Sequence, residues 1–258
     1  MIQEMPRAGR AIDVDTIPAD RCQPMKACLP CLGEQGDAVE QFRNLRSRMY
    51  EFRGQSAFKS VVVSSAMAGE GKSFVAANLA VSLARNTNQK VMLIDADMRR
   101  PTLHGLLGTR CEPGLADYLM GIAELDQVIR RYQRAPESRG EDNLDLNLYL
   151  MPAGKKTEHA TECLSGHGLA EMMSILSATF DWVVIDSPPV LMFADAVDLA
   201  RVADSVLLVA RGGRTSVESA RKAQSSFRSS RLLGLVLNAV KNPPNSDELN
   251  RYYQGYQR

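Results

Sequence analysis

A β-rich run, a glycine-rich loop and a helix-like run follow one another between Ser60 and Arg85, and this succession constrains the chain more than any other feature. Ser60 to Ser65 contains Val61-Val62-Val63. Next comes Ala66-Met67-Ala68-Gly69-Glu70-Gly71-Lys72-Ser73, and Phe74 to Arg85 has helical apolar spacing. Glycines in such a loop let successive backbone N–H groups turn inward onto phosphate oxygens. Lys72 extends a charge toward the same oxygens, and the Ser73 hydroxyl is a ligand for Mg²⁺. The helix that follows adds its positive N-terminal end. Ala68, Gly69, Glu70, Gly71, Lys72, Ser73 and Phe74 are therefore the candidates for holding a nucleotide. The loop departs from the pattern G-x-x-x-x-G-K-[ST], because Ala66 stands where the first glycine belongs. The strand before it and the helix after it supply the context that the motif requires.

Beyond this unit the chain alternates between short β-branched runs and helical stretches, the pattern of a mostly parallel sheet wrapped by helices. The spacing predicts strands at Val61 to Ser64, Val91 to Ile94, Leu146 to Leu150, Trp182 to Ile185, Ser205 to Ala210 and Leu232 to Asn238. Helices are expected at Ala38 to Phe52, Phe74 to Arg85, Gly114 to Met120, Leu169 to Ala178, Asp195 to Arg201 and Ser216 to Phe227. The polar segment Arg130 to Asn143 is expected to be a surface loop. The fold class is thus α/β, a single P-loop domain over residues 37–242. It is preceded by a mobile, proline-bearing arm over 1–36 and followed by a flexible tail over 243–258.

A formal charge of +1 on 258 residues gives no support for a nucleic-acid partner. No run approaches the length of an apolar membrane span, and the first ten residues lack the apolar core of a secretion signal, so a cytoplasmic location is expected. Five cysteines without a paired framework agree with a reducing compartment. Cys28 and Cys31 make a C-x-x-C with Cys22 nearby but no second pair or close histidine, so two ordinary thiols are expected there rather than a zinc or redox site, since a metal site wants four ligands at set spacing.

In an open α/β sheet, ligands sit beyond the carboxyl ends of the strands, which gives meaning to acidic residues directly after apolar runs. Asp95 and Asp97 follow Val91-Met92-Leu93-Ile94, and Asp186 follows Trp182-Val183-Val184-Ile185. A buried strand fixes such a carboxylate where it can hold Mg²⁺, directly or through water. Together with Lys72 these are the candidate catalytic residues, with Ser73, Asp97 and Asp186 as candidate metal ligands. Asp95 is also a candidate general base. The sequence does not divide base and metal roles among the three aspartates.

Gly69-Glu70-Gly71-Lys72-Ser73, Leu93-Ile94-Asp95-Ala96-Asp97-Met98-Arg99-Arg100-Pro101 and Val184-Ile185-Asp186-Ser187-Pro188-Pro189 resemble the bacterial tyrosine kinases of exopolysaccharide and capsule systems, relatives of the MinD/ParA ATPases. Further matches are Pro113-Gly114-Leu115-Ala116-Asp117-Tyr118-Leu119, Pro152-Ala153-Gly154, Asp195-Ala196 and Gly234-Leu235-Val236-Leu237-Asn238. Where MinD and ParA proteins carry a signature lysine this chain has Met67, which favours the kinase branch. His159-Ala160-Thr161-Glu162-Cys163-Leu164 looks like the subtype associated with exosortase systems.

The resemblance implies ATP and Mg²⁺ as cofactors and Asn238 near the adenine. It also implies a homo-oligomeric ring assembled through Glu40, Arg43 and Arg46. It further implies activation by a membrane-embedded polysaccharide co-polymerase that holds the chain at the inner face of the membrane, and reversal by a phosphotyrosine phosphatase.

The chain ends Asn250-Arg251-Tyr252-Tyr253-Gln254-Gly255-Tyr256-Gln257-Arg258. Tyrosines interleaved with Gln, Gly and Arg cannot bury their rings together, so this segment is expected to project beyond the last strand. It resembles the family's C-terminal tyrosine cluster. Tyr252, Tyr253 and Tyr256 are accordingly the expected autophosphorylation sites. A switch ATPase that releases phosphate without labelling protein is the alternative function. An iron–sulfur variant of the same fold would need paired cysteines near the loop, and Cys111 and Cys163 are single.

Overall fold

A computed structural model describes residues 12–134 and 146–241. In chain order it places β1 at Ala19–Cys22, α1 at Asp37–Gln55, β2 at Ser60–Ser65, α2 at Lys72–Ala84, β3 at Val91–Asp95 and α3 at Leu103–Leu107. Then follow α4 at Leu115–Leu119, α5 at Leu125–Val128, β4 at Arg130–Arg134, β5 at Leu148–Met151, α6 at Ala160–Leu164 and α7 at His167–Thr179. The last elements are β6 at Trp182–Asp186, α8 at Asp195–Val202, β7 at Ser205–Arg211, α9 at Val217–Ser226 and β8 at Leu232–Asn238. The strands form one sheet in the order β1-β4-β5-β3-β6-β2-β7-β8. Every pairing in it is parallel except β4 with β5.

Side chains alternate across the sheet with period two, so each central strand feeds two cores. Val62, Met92, Ile94, Val183 and Ile185 point to one face, where α7 and α8 contribute Leu169, Leu176, Ala196 and Leu199. Val61, Val63, Val91, Leu93 and Val184 point to the other, against Val75, Leu79 and Leu83 of α2 and Phe42 and Met49 of α1. Strands covered on both faces are apolar at every position, which is why these runs are continuous rather than alternating. Helix α2 is buried over Val75 to Ala84 and so lies beneath a further layer rather than at the surface.

Part of that layer comes from the segment expected to be a mobile arm, and here the structure corrects the sequence reading. Over its described residues the segment packs onto the domain, burying Val14, Ile17, Cys22, Leu29 and Cys31. The Asn78 side chain of α2 accepts from the Cys31 N–H at 3.2 Å and donates to the Cys28 carbonyl at 3.0 Å. Arg85 donates to the Cys31 carbonyl at 3.0 Å. Burial pushes the Cys22 and Cys31 thiols up to about 12, which keeps them protonated and marks them as packing groups. A segment that wraps a neighbour buries isolated apolar residues without any periodicity, so composition alone points to disorder.

The second correction concerns Arg130 to Asn143. Arg130–Arg134 is strand β4, parallel to β1 and antiparallel to β5. Its polar side chains do not prevent this, because backbone pairing fixes the strand. The buried Arg130 guanidinium donates to the carbonyls of Arg110, Glu112 and Pro113 at 2.7–2.9 Å. Residues 135–145 lie outside the described part, as do Tyr252, Tyr253 and Tyr256.

Candidate active site

The loop between β2 and α2 sits at the carboxyl end of the sheet. Gly69 and Gly71 have φ of +80° and +96°, which favours glycine at both positions. A Cβ on Gly71 would also come within 2.0 Å of Asn238 Nδ2, so a side chain there would displace the Asn238 amide from the loop. Asn238, at the end of β8, donates from that nitrogen to the Glu70 carbonyl at 3.0 Å. The expected adenine residue thus already touches the loop.

Lys72, the first residue of α2, extends to the ends of β3 and β6. Its Nζ lies 3.0 Å from Asp97 Oδ2 and 4.0 Å from Asp186 Oδ1. Burial acts to lower the Lys72 pKa, yet the two aspartates outweigh it and hold the ammonium above its ordinary value. Parallel pairing of β3 with β6 sets Asp95 directly beside Asp186, and both are fully buried. Burial raises the pKa of each. The neighbouring charge of Asp186 raises Asp95 further, while Lys72 partly offsets the rise at Asp186.

The three aspartates differ in what their oxygens already do. Asp95 Oδ2 accepts from the Thr102 and Leu103 N–H groups at 2.9 Å, and its Oδ1 accepts from the Asp97 N–H at 3.2 Å. Asp95 therefore anchors the β3–α3 turn. Asp97 Oδ1 accepts from the Arg100 N–H at 3.0 Å, which leaves Oδ2 toward Lys72 and the cleft. Neither Asp186 oxygen has a hydrogen-bond partner among the described residues. A buried carboxylate that faces the Lys72 ammonium and the Ser73 hydroxyl with no close hydrogen bond of its own fits a divalent cation, directly or through its water. No cage of three protein carboxylates, histidines or thiols converges among the described residues, and a Mg²⁺ shared with phosphates does not need one.

In front of these groups is a cleft of about 310 Å³, lined by the loop, Asp97, Arg99, Arg100, Thr102, Pro189, Met192 and Phe193. Phe74 lines it too, with its ring 5.8 Å from that of Phe42. Arg99 is locked in place. Its Nε donates to the buried Asp195 at 3.0 Å, another nitrogen donates to Thr161 Oγ1 at 2.8 Å, and its guanidinium stacks 4.6 Å over Phe193. The wall formed by Pro189, Met192 and Phe193 escapes sequence reasoning. Its only signal is the position of these residues just after the Asp186 strand.

Glu40, Arg43 and Arg46 lie together on α1, away from the loop. Glu40 and Arg43 form an exposed ion pair, whereas Arg46 donates to the Ser82 carbonyl of α2 at 2.6 Å. Arg46 is thereby committed within the chain in this structure.

A strand–loop–helix phosphate cradle backed by strand-end carboxylates defines a P-loop nucleotide-binding domain. Residues 58–226 match the family model described as AAA domain. The tyrosine-protein kinase YwqD of Bacillus subtilis is 35% identical over 204 residues, covering 78% of this chain and 81% of that one. The putative tyrosine-protein kinase EpsB of Ralstonia nicotianae is 33% identical over 85% of this chain, which spans only 27% of it. The kinase domain of the Escherichia coli tyrosine kinase ETK superposes with a TM-score of 0.70 at 28% identity, over 81% of this chain and 78% of that one. The chain belongs to the bacterial tyrosine-protein kinases. No described helix is long and apolar enough to cross a membrane.

Proposed function

We propose that the chain is an ATP- and Mg²⁺-dependent protein-tyrosine kinase whose acceptors are Tyr252, Tyr253 and Tyr256 of its own C-terminal segment, presented by a neighbouring copy. The observation that carries this reading is the convergence of Asp97 and the buried Asp186 on Lys72, which with Asp97 lines a cleft that has an apolar wall. Anionic phosphates suit the floor. A phenol ring suits Pro189, Met192 and Phe193.

In the reaction the tyrosine oxygen bonds to the γ-phosphorus as the bond to the β–γ bridging oxygen breaks, and ADP leaves. Lys72 and the loop N–H groups stabilise the charge on the transferred phosphoryl group. Mg²⁺ held by Ser73, Asp97 and Asp186 neutralises phosphate charge when bound. Asp97 lines the cleft and Asp95 accepts from its N–H, and the phenolic proton passes to one of this pair of carboxylates. Asn238 meets the adenine. Glu40 and Arg43 support contact between copies. Phosphorylation adds roughly 1.5 to 2 negative charges per tyrosine, which opposes assembly of copies. The setting is exopolysaccharide or capsule export, with a membrane-embedded co-polymerase as activator at the inner membrane face and a phosphotyrosine phosphatase to reset the tail.

The test is incubation of the full chain with γ-labelled ATP and Mg²⁺. Label recovered as phosphotyrosine, and lost in a Tyr252/253/256→Phe triple variant, supports the proposal. Equal labelling of that variant removes the tail from the account. Phosphate release with no labelled protein identifies a switch ATPase instead.

A further inference from the structure

The phosphate loop is gripped from outside by the turn that follows β7. Arg211 donates from its guanidinium to the Gly69 carbonyl at 3.0 Å, and its own N–H donates to Thr215 Oγ1 at 2.7 Å. The Thr215 hydroxyl donates to one oxygen of the Glu70 carboxylate, and the Met67 N–H donates to the other at 3.0 Å. Glu70 is buried, so its charge is fully committed to holding the loop and the turn together.

Arg214 lies in the same turn and is placed differently. The residue is exposed, and its guanidinium stands 3.3 Å from where a Cβ on Gly69 would be, beside the loop at the edge of the cleft lining that Gly69 forms. Among the described residues it has neither an ion pair nor a hydrogen-bond acceptor. A planar cation without a counter-charge, standing beside a glycine of the phosphate loop on a turn whose backbone is fixed, is free to meet an anion that arrives with the ligand. Guanidinium groups bind phosphate oxygens through paired N–H donors, which the point charge of Lys72 does not reproduce.

We propose that Arg214 is a phosphate ligand of the bound nucleoside di- or triphosphate, approaching from the Gly69 side of the loop as a second cation beside Lys72. Arg211 and Thr215 position it by fixing the turn to Gly69 and Glu70. The glycine at 69 keeps the approach open. This inference rests on the nucleotide reading of the loop.

The experiment is calorimetric titration of the full chain with Mg-ADP, and separately with adenosine, for wild type, Arg214→Ala, Arg214→Lys, Arg214→Gln and Arg221→Ala. Arg221 is an exposed arginine of α9 that controls for lost net charge. ADP affinity is expected to fall about tenfold in Arg214→Ala and Arg214→Gln, to recover partly in Arg214→Lys, and to stay within twofold in Arg221→Ala. Adenosine binding, which has no phosphate to lose, is expected to be equal in all. Wild type that binds ADP, with Arg214→Ala and Arg214→Gln within twofold of it, overturns the inference alone. Equal losses for ADP and adenosine overturn it as well, since the residue would then act through the fold. A wild-type chain that binds no ADP overturns the nucleotide reading together with the inference.

Discussion

The Lys72 ammonium lies 3.0 Å from Asp97 Oδ2, so without nucleotide the loop's cation is held by the carboxylate at the floor of the cleft. Phosphate must draw Lys72 away from Asp97, and the interaction that replaces it is strongest when charge builds on the transferred group. Lys72→Met is expected to reduce tyrosine labelling on the order of 10²-fold or more, the scale of removing one stabilising donor. Labelling with γ-labelled ATP over a time course measures this. A rate within threefold of wild type would contradict the role.

The Glu70–Thr215 pair gives a prediction about stability rather than chemistry. Glu70→Ala leaves the Met67 N–H and the Thr215 hydroxyl, both in part-buried bonds, without their acceptor. An orphaned polar group costs about 1–3 kcal/mol where water cannot reach it, and partial exposure puts these two at the low end of that range. Urea unfolding is expected to show a loss of that order, with Thr215→Val losing less because Glu70 keeps the Met67 N–H. A Glu70→Ala protein as stable as wild type would show that the loop holds its shape unaided.

These two contacts also show how far the sequence could be read. The strands β2, β3, β6 and β7 were legible because burial on both faces makes them continuous apolar runs, and the aspartates that end β3 and β6 announced the floor of the site. Strands β1 and β4 were not, since Asp20, Arg21, Arg130 and Arg131 carry no apolar pattern and the pairing of β1 with β4 is long-range. The Glu70–Thr215 bond joins residues 145 positions apart, so no local spacing encodes it. Asn238 was legible by resemblance alone, and its contact with the loop depends on β8 lying two strands from β2.

Arg99 and Asp195 pair in a setting where breaking one side is costly. Asp195 is fully buried and accepts from Arg99 at 3.0 Å and from Thr161 at 2.6 Å. Arg99→Ala strands the carboxylate with one donor and removes the guanidinium that covers Phe193. A loss of about 3 kcal/mol is expected by urea denaturation, at the low end for a broken buried pair because Thr161 remains. Arg99→Ala with Asp195→Asn should lose less than Arg99→Ala alone, and a strictly additive result would deny the coupling.

The buried carboxylates set a pH dependence whose sign is fixed. Asp95 and Asp186 are held above their ordinary value of 3.8 in the folded chain, chiefly by burial. As pH rises past that value the unfolded chain gives up these protons first, so the folded state binds more protons and stability falls with pH until the raised values are passed. Without nucleotide or divalent cation, wild type is expected to melt at a lower temperature at about pH 8 than at about pH 5. Asp186→Asn removes one of the ionisations and should flatten that slope. Mg-ADP favours the ionised carboxylate and is expected to bind more weakly toward the acid end in wild type, with a smaller change in Asp186→Asn. Thermal melts across this range, with and without Mg-ADP, check both signs. A wild-type chain that gains stability toward alkaline pH without ligand would mean that the two aspartates are ionised in the resting fold.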